Sequence, residues 1–191
     1  MISPIINSGL QDLSPVFRVR LRDPGPSDAA LIYRWRNENA LQAHQPLVYL
    51  SLDHIQSDIE KTSSNNLPNY SRERFQWIIE RLSDSEPLGW MTLSIRTWEH
   101  QIGEIGYSIS EAYHGQGYGF EALQIMLQKA FCEAHLYRVE AKCSVENPAS
   151  YKLLEKVGFK QEGVLREYFN IRGKRFDHYM YSVLRSDYIK R

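Results

Sequence analysis

Gly115-Gln116-Gly117-Tyr118-Gly119-Phe120-Glu121-Ala122 decides how the rest of the chain is read. A strand-like run, Glu104 to Ser110, comes before it. An amphipathic helical pattern follows, with Leu123, Met126, Leu127, Ala130 and Phe131 at helical spacing. Three glycines on alternate positions remove the Cβ atoms that would hold a ligand off the backbone. The helix that begins there points its unpaired N–H groups and positive dipole end at whatever lies over the turn. That geometry suits a phosphate or pyrophosphate. The alternative is a plain strand-to-helix turn that binds nothing.

Two phosphate loops fit the stretch poorly. A P-loop ends in Gly-Lys-Ser/Thr, and this chain has Gly-Phe-Glu. A dinucleotide fingerprint starting at Gly115 needs glycine at 120, where Phe120 stands. Glu140 lies about 20 residues on, where a ribose-binding acid belongs, but it alternates with Arg138 and Lys142 on the polar face of a strand. A second element lies further along. Asn147-Pro148-Ala149-Ser150 opens another helix, with Asn as N-cap and Pro at the first helical position. Leu153, Leu154 and Val157 give it an apolar side, and Gly158 ends it before Phe159. Taken alone, Asn147 reads as a well-placed cap.

Taken together, His114-Gly115-Gln116-Gly117-Tyr118-Gly119 and Glu146-Asn147-Pro148-Ala149-Ser150 to Lys156-Val157-Gly158-Phe159 resemble the two motifs of the GCN5-related N-acetyltransferases (GNAT). The first matches that family's Q/R-x-x-G-x-G/A pyrophosphate turn, with His114 in the place of the first Gln or Arg. The second follows at the family's separation, one helix and one strand later. Trp35-Arg36-Asn37, Gly103-Glu104-Ile105-Gly106-Tyr107, Glu121-Ala122-Leu123 and Gly173-Lys174-Arg175-Phe176-Asp177-His178 are most similar to the Rim-type branch and its spermidine-acetylating relatives. The resemblance covers about Phe17 to Tyr188. It implies an α/β fold: a mixed, mostly antiparallel central sheet with a splayed parallel pair, flanked by helices. It further implies acetyl-CoA as cosubstrate, its pantetheine arm lying in the gap as a pseudo-strand. Ser108, Ile109, His114, Gly115, Gln116, Gly117, Tyr118, Gly119, Phe120 and Asn147 are its implied contacts.

An acetyl thioester is already activated, so the protein has to align the amine, remove a proton and stabilise developing charge. No Ser-His-Asp or Cys-His set is required. For a lysine-like amine (pKa ~10.4) deprotonation at pH ~7.4 costs about 4 kcal/mol, whereas for an α-amino group (pKa ~8) it costs under about 1 kcal/mol. Glu104 is the first candidate for the base or amine-orienting group, beside the first motif where the family commonly keeps a carboxylate. The alternative is a solvent-exposed glutamate at the sheet. Glu167 and Tyr168 are weaker candidates. Many relatives carry an acidic tyrosine where this chain has Leu154, and Rim-type enzymes often place serine where Ser150 stands. Its hydroxyl is therefore the candidate donor to the leaving sulfur, with Tyr151 a substitute. Trp35, Arg36 and Asn37 are the implied acceptor-site segment, although a buried Trp with a solvated Arg explains the same residues.

The 191 residues suffice for one ordinary domain: an amino-terminal arm over 1–16 and the acetyltransferase domain over 17–191. Twenty-three basic residues balance twenty-three acidic ones, so no general affinity for nucleic acid or membrane is expected. Apolar runs are too short for a membrane span, and the amino end lacks a signal-peptide pattern. Cys132 and Cys143 are expected as packed free thiols in a cytoplasmic protein. The six histidines show no metal-ligand spacing, so no metal is expected. The acceptor is a primary amine, with a protein N-terminus favoured over a polyamine, aminoglycoside or amino sugar. A non-catalytic acyl-CoA-binding module is the reading from another class, and a homodimer is left open.

Along the chain, strands are expected at Phe17 to Asp23, Arg74 to Leu82, Leu88 to Trp98, Gly103 to Ser110, Leu136 to Ser144, Gln161 to Asn170 and Arg175 to Leu184. The Ser83-Asp84-Ser85 and Glu99-His100-Gln101 turns make an antiparallel meander of the second to fourth. Helices are expected from Ser27-Asp28 through Trp35, from the Ser51 to Asp53 cap to about Thr62, after the glycines, and after Asn147.

Overall fold

Apolar and polar residues alternate along most of the expected strands, and the strands pair into one sheet. The computed structural model describes residues 17–61 and 65–189, so the amino-terminal arm lies outside the described residues. In chain order the elements are β1 (Val19–Arg22), α1 (Asp28–Arg36), α2 (Asn39–His44), α3 (Leu52–Lys61), β2 (Arg74–Arg81), β3 (Pro87–Thr97) and β4 (Ile102–Ile109). After these come α4 (Tyr118–Gln128), β5 (Arg138–Ser144), α5 (Pro148–Val157), β6 (Lys160–Ile171), β7 (Lys174–Leu184) and α6 (Arg185–Ile189). A 3₁₀ turn, Glu111–Tyr113, precedes the glycines, and a π-helical turn, Lys129–Glu133, finishes α4.

The strands lie in the order β1-β2-β3-β4-β5-β7-β6. Every neighbouring pair is antiparallel except β4 and β5, which are parallel. This is the expected mixed α/β sheet, including its β2–β4 meander. Parallel pairing runs only from Ile102↔Arg138 to Ile105↔Ala141. Beyond that point Gly106–Ile109 stays with β3 and Lys142–Ser144 stays with β7, so the two strands part company. A cleft therefore opens in the middle of the sheet.

Helices cover both faces. On one, Leu123, Met126, Leu127 and Phe131 pack over Phe75, Trp77, Met91, Ile105, Val139 and Tyr181. On the other, Ile32, Trp35, Leu41, Ile55 and Ile59 pack over Ile78 and Trp90. At about 1.5–3 kcal/mol for each large apolar side chain removed from water, these two cores dominate what holds the sheet between its helices.

The short helix α2 was not expected from the sequence. It has fewer than two turns and buries only Leu41, so no periodicity announces it. The thiol expectation needs a correction too. Both cysteines are free, but Cys132 is exposed on the π-helical turn. Cys143 is buried, and burial pushes its thiol up to about 11.

Gly89 on β3 faces Ile109 across the ladder. A Cβ there would stand 2.0 Å from the Ser108 carbonyl oxygen and 2.9 Å from the Ile109 Cα, both backbone atoms with no rotamer to give. Gly89→Ala is therefore expected to destabilise the protein by about 3 kcal/mol, the upper range for overpacking. Urea denaturation of the folded variant checks this; a change under about 0.5 kcal/mol refutes it.

Candidate functional site

The three glycines adopt the backbone their sequence suggested. Gly115 and Gly117 have φ of +74° and +85°, the left-handed region that side chains disfavour. Gly117 is the N-cap of α4. Gly119 meets a different constraint, since a Cβ there would lie 3.1 Å from Leu153 Cδ2. Its bareness lets α5 close on α4. The His114 ring donates from Nε2 to the Ile109 carbonyl at 2.8 Å, which ties the turn to the end of β4.

A residue that sequence reading missed braces the turn from below. Arg18 donates from Nη2 to the Gln116 carbonyl (2.9 Å) and from Nε to Glu121 Oε1 (2.7 Å), and its own amide donates to Glu121 Oε2 (2.6 Å). Its guanidinium also lies 4.7 Å from the centre of the Tyr118 ring. The partners are about a hundred residues apart in the chain, and no local pattern announces such a pairing.

Above the turn lies a cavity of about 580 Å³. Ser108, Ile109, His114, Gly115, Gly117, Tyr118, Gly119, Phe120, Asn147 and Ser150 all line it. The structure thus brings together nearly all the residues expected at a coenzyme. Gln116 is beside them, its carbonyl held by Arg18 and its side-chain amide donating to the Ala112 carbonyl. Asn147 caps α5, accepting at Oδ1 from the Ser150 amide (3.1 Å). The far wall comes from α2 and the residue after it, through Ala40, Leu41, His44 and Gln45. Two carboxylates staple this wall in place. Glu38 accepts from the Ser110 hydroxyl and the Glu111 amide, and Glu111 accepts from the Ala40 amide.

Ser150 has a partner that sequence reading did not supply. The Tyr107 hydroxyl lies 2.9 Å from Ser150 Oγ, and both residues line the cavity. Burial raises the Tyr107 phenol above its ordinary value, so it stays protonated and able to donate. Leu154, by contrast, is fully buried in the core, and Tyr151 packs edge-on against Tyr179. Neither lines the cavity.

Glu104 is held elsewhere. Register puts it opposite Ser94 and Glu140, on the α1–α3 side of the sheet and before the strands part. Its Oε2 accepts from the Arg96 guanidinium and, at 2.5 Å, from Lys142 Nζ. It does not line the cavity, and it is engaged within the sheet rather than exposed. Glu167 and Tyr168 sit where β6 loses register against β7, also away from the cavity. Trp35 is completely buried and stacks on Trp90 at 6.1 Å, which makes it core. Arg36 and Asn37 line a second space of about 240 Å³, bounded by 46–50 and the β6–β7 hairpin with Arg172. Gln45 borders both spaces.

This geometry has close counterparts. Residues 18–160 match the family model described as "Acetyltransferase (GNAT) domain". The uncharacterized N-acetyltransferase p20 of Bacillus licheniformis is 35% identical over 115 residues, 60% of this chain and 64% of that protein. The [ribosomal protein uS5]-alanine N-acetyltransferase of Escherichia coli (strain K12) is 32% identical over 84 residues, 44% of this chain and 43% of that one. The chain thus spans under two thirds of these relatives. Among solved structures, a chimera of the Vibrio cholerae spermidine N-acetyltransferase SpeG and hSSAT superposes with a TM-score of 0.78 at 25% identity, covering 91% of this chain and 99% of that one. Mycobacterium smegmatis RimJ in complex with CoA-disulfide gives 0.76 at 26%, covering 88% and 83%.

The Asn147 cap yields a separable prediction. Asn147→Ala removes the acceptor for the Ser150 amide and is expected to cost about 1 kcal/mol, whereas Asn147→Ser keeps a cap of similar quality. Paired denaturant titrations check this; equal losses for both variants refute the capping account.

Proposed function

The chain belongs to the GNAT acetyltransferase family, and on that premise we propose that it is an acetyl-CoA-dependent N-acetyltransferase acting on the α-amine of a polypeptide N-terminus. The observation that carries this reading is one continuous cavity. It runs from the glycine turn, past the gap where β4 leaves β5, to the wall formed by α2. The pyrophosphate lies over the amides at 116–119, where two left-handed glycines keep the backbone bare. The pantetheine arm runs beside Ser108 and Ile109, whose edge is no longer paired to β5, and meets Asn147 on the other side.

Transfer then needs little covalent machinery. The amine attacks the thioester carbonyl, the carbon–sulfur bond breaks, and the thiolate is stabilised by the Ser150 hydroxyl. The Tyr107 hydroxyl lies 2.9 Å from Ser150 Oγ, and with the phenol as donor of that pair the serine proton is free for the sulfur. Glu104 acts at a distance, holding Arg96 and Lys142 at the root of the cleft.

Charge supports a peptide acceptor over a polyamine. Among the described residues neither space is lined by a single Asp or Glu, while Arg36 and Arg172 line the outer one. A polycation would meet only repulsion there. The carbonyl oxygens of an extended peptide would find a guanidinium donor in Arg172, while Arg36 and Asn37 already donate to the Val48 and Tyr33 carbonyls. An α-amine also asks least of the enzyme, under about 1 kcal/mol for deprotonation near neutrality.

Thiol release from acetyl-CoA, measured across N-terminal peptides, spermidine and amino sugars, tests the reading. Peptides are expected to turn over best. Faster turnover of spermidine would favour the small-amine reading, and coenzyme binding without any turnover would favour a binding module. Gly117→Asp adds a Cβ and a negative charge beside the pyrophosphate. It is expected to raise the coenzyme Kd at least tenfold, about 1.4 kcal/mol. Calorimetry that finds unchanged affinity in a folded variant removes the pyrophosphate assignment.

A further inference from the structure

A GNAT reaction needs an acceptor for the amine proton, and the cavity that carries the proposed function contains no carboxylate among the described residues. Glu104 is outside it, engaged by two cations. The nitrogen bases on the cavity wall are His44, His114 and Lys156. His114 sits at the glycine turn, the end of the cavity assigned to the pyrophosphate, with Nε2 donating to the Ile109 carbonyl, so its place and not its protonation sets it apart from the acceptor. Lys156 lies 4.8 Å from the centre of the Phe120 ring, on the same coenzyme side, and an ammonium has no lone pair to offer. That leaves His44, the last residue of α2, on the wall opposite.

His44 is unusual in another respect. Its Nδ1 is buried and makes no hydrogen bond with any described residue. A buried polar atom left unsatisfied is destabilising, so such atoms call for an explanation in function or in a bound partner. Nδ1 therefore takes no part in a structural hydrogen bond among the described residues. Its neighbour Gln45 ties this end of α2 to β4, because Gln45 Nε2 donates to the Tyr107 carbonyl at 3.2 Å. The same Tyr107 presents its hydroxyl to Ser150. One residue of β4 thus links the imidazole wall to the hydroxyl pair assigned to the leaving sulfur.

We propose that His44 is the general base of the transfer, a role that rests on the acetyltransferase reading. The ammonium form of the acceptor gives one proton to the imidazole. The freed nitrogen lone pair attacks the thioester carbonyl, and the carbon–sulfur bond breaks. The departing thiolate gains a proton relayed from the amine nitrogen's second N–H through solvent or the Ser150–Tyr107 pair. Imidazolium then returns its proton to water, so one ammonium and one thioester become one amide, one thiol and one released proton. Imidazole is the side chain suited to exchange a proton near neutral pH. The charged and titratable groups that border the two spaces beside α2, or bond to its residues, are Arg36, Glu38, Tyr49, Glu111 and Arg172, and across the cavity Tyr107, Tyr113, Tyr118, His114 and Lys156; α1 further carries Asp28, Tyr33 and Arg34, and β6 Lys160, Glu162, Arg166, Glu167 and Tyr168.

The test compares wild type with His44→Gln and His44→Ala, using acetyl-CoA and the best peptide acceptor. His44→Gln is expected to lower kcat by about 100-fold or more at neutral pH, the usual worth of a general base. The coenzyme Kd and the melting temperature should stay near wild type. The deficit should shrink as pH approaches the amine's own pKa, and added imidazole should restore part of the His44→Ala rate. A residue that only shapes the wall would give a pH-independent loss with no imidazole rescue, and that result overturns the proposal. So does a variant keeping more than half of kcat. Wild type that is inert toward every amine would instead overturn the acetyltransferase reading, and this inference with it.

Discussion

Everything functional here depends on hydrogen bonds that β4 and β5 do not make. After Ile105 and Ala141 the two strands separate, each kept by its other neighbour. Backbone amides and carbonyls facing such a gap need partners, because an unpaired buried group costs about as much as a lost hydrogen bond. An extended, amide-bearing ligand in the gap would supply what a strand would have supplied. The sheet remains intact around the gap because the antiparallel ladders on both sides are long and the helices above and below are tied down by apolar cores.

The two walls of the cleft are built by different means. The coenzyme side rests on local chemistry: two left-handed glycines, an N-cap asparagine and a proline in the first turn of α5. The opposite side has no such code. Helix α2 is too short to stand by itself, and it is held by Leu41 in the core and by the Glu38 and Glu111 carboxylates. Distributed, mostly exposed polar contacts of this sort are easier to vary than a glycine turn. That fits a fold in which the coenzyme is constant and the acceptor changes.

This contrast also explains what could be read in the chain. Strands, the meander and both motif helices were legible because period-two alternation, Asn-Pro and Gly-x-Gly act within a few residues. The residues that line the cavity at the glycine turn followed from them. Glu104 was assigned from its place along β4, but its partners, Arg96 on β3 and Lys142 on β5, are fixed by sheet register, which sequence position does not reveal. Tyr107 gave no signal either, since a tyrosine on the buried face of a strand looks like core until α5 brings Ser150 within 2.9 Å. Trp35 went the other way: its apolar body fills the core and has no surface left for a substrate.

The Arg18 brace adds polar links between two places that already pack on each other, β1 and the start of α4. Among the described residues β1 is a four-residue strand at the edge of the sheet, paired with β2 alone, and such edges are where native structure opens first. Arg18, just before it, is hydrogen-bonded to the Gln116 carbonyl and to Glu121 in the first turn of α4. Fraying at that edge therefore withdraws a cation from beneath the glycine turn. By linkage, an anion seated over the turn must in its turn suppress the fraying. Amide hydrogen exchange in β1 would then slow when coenzyme binds, although no residue of that strand borders the cavity. The edge of the sheet becomes a gauge of occupancy at its centre.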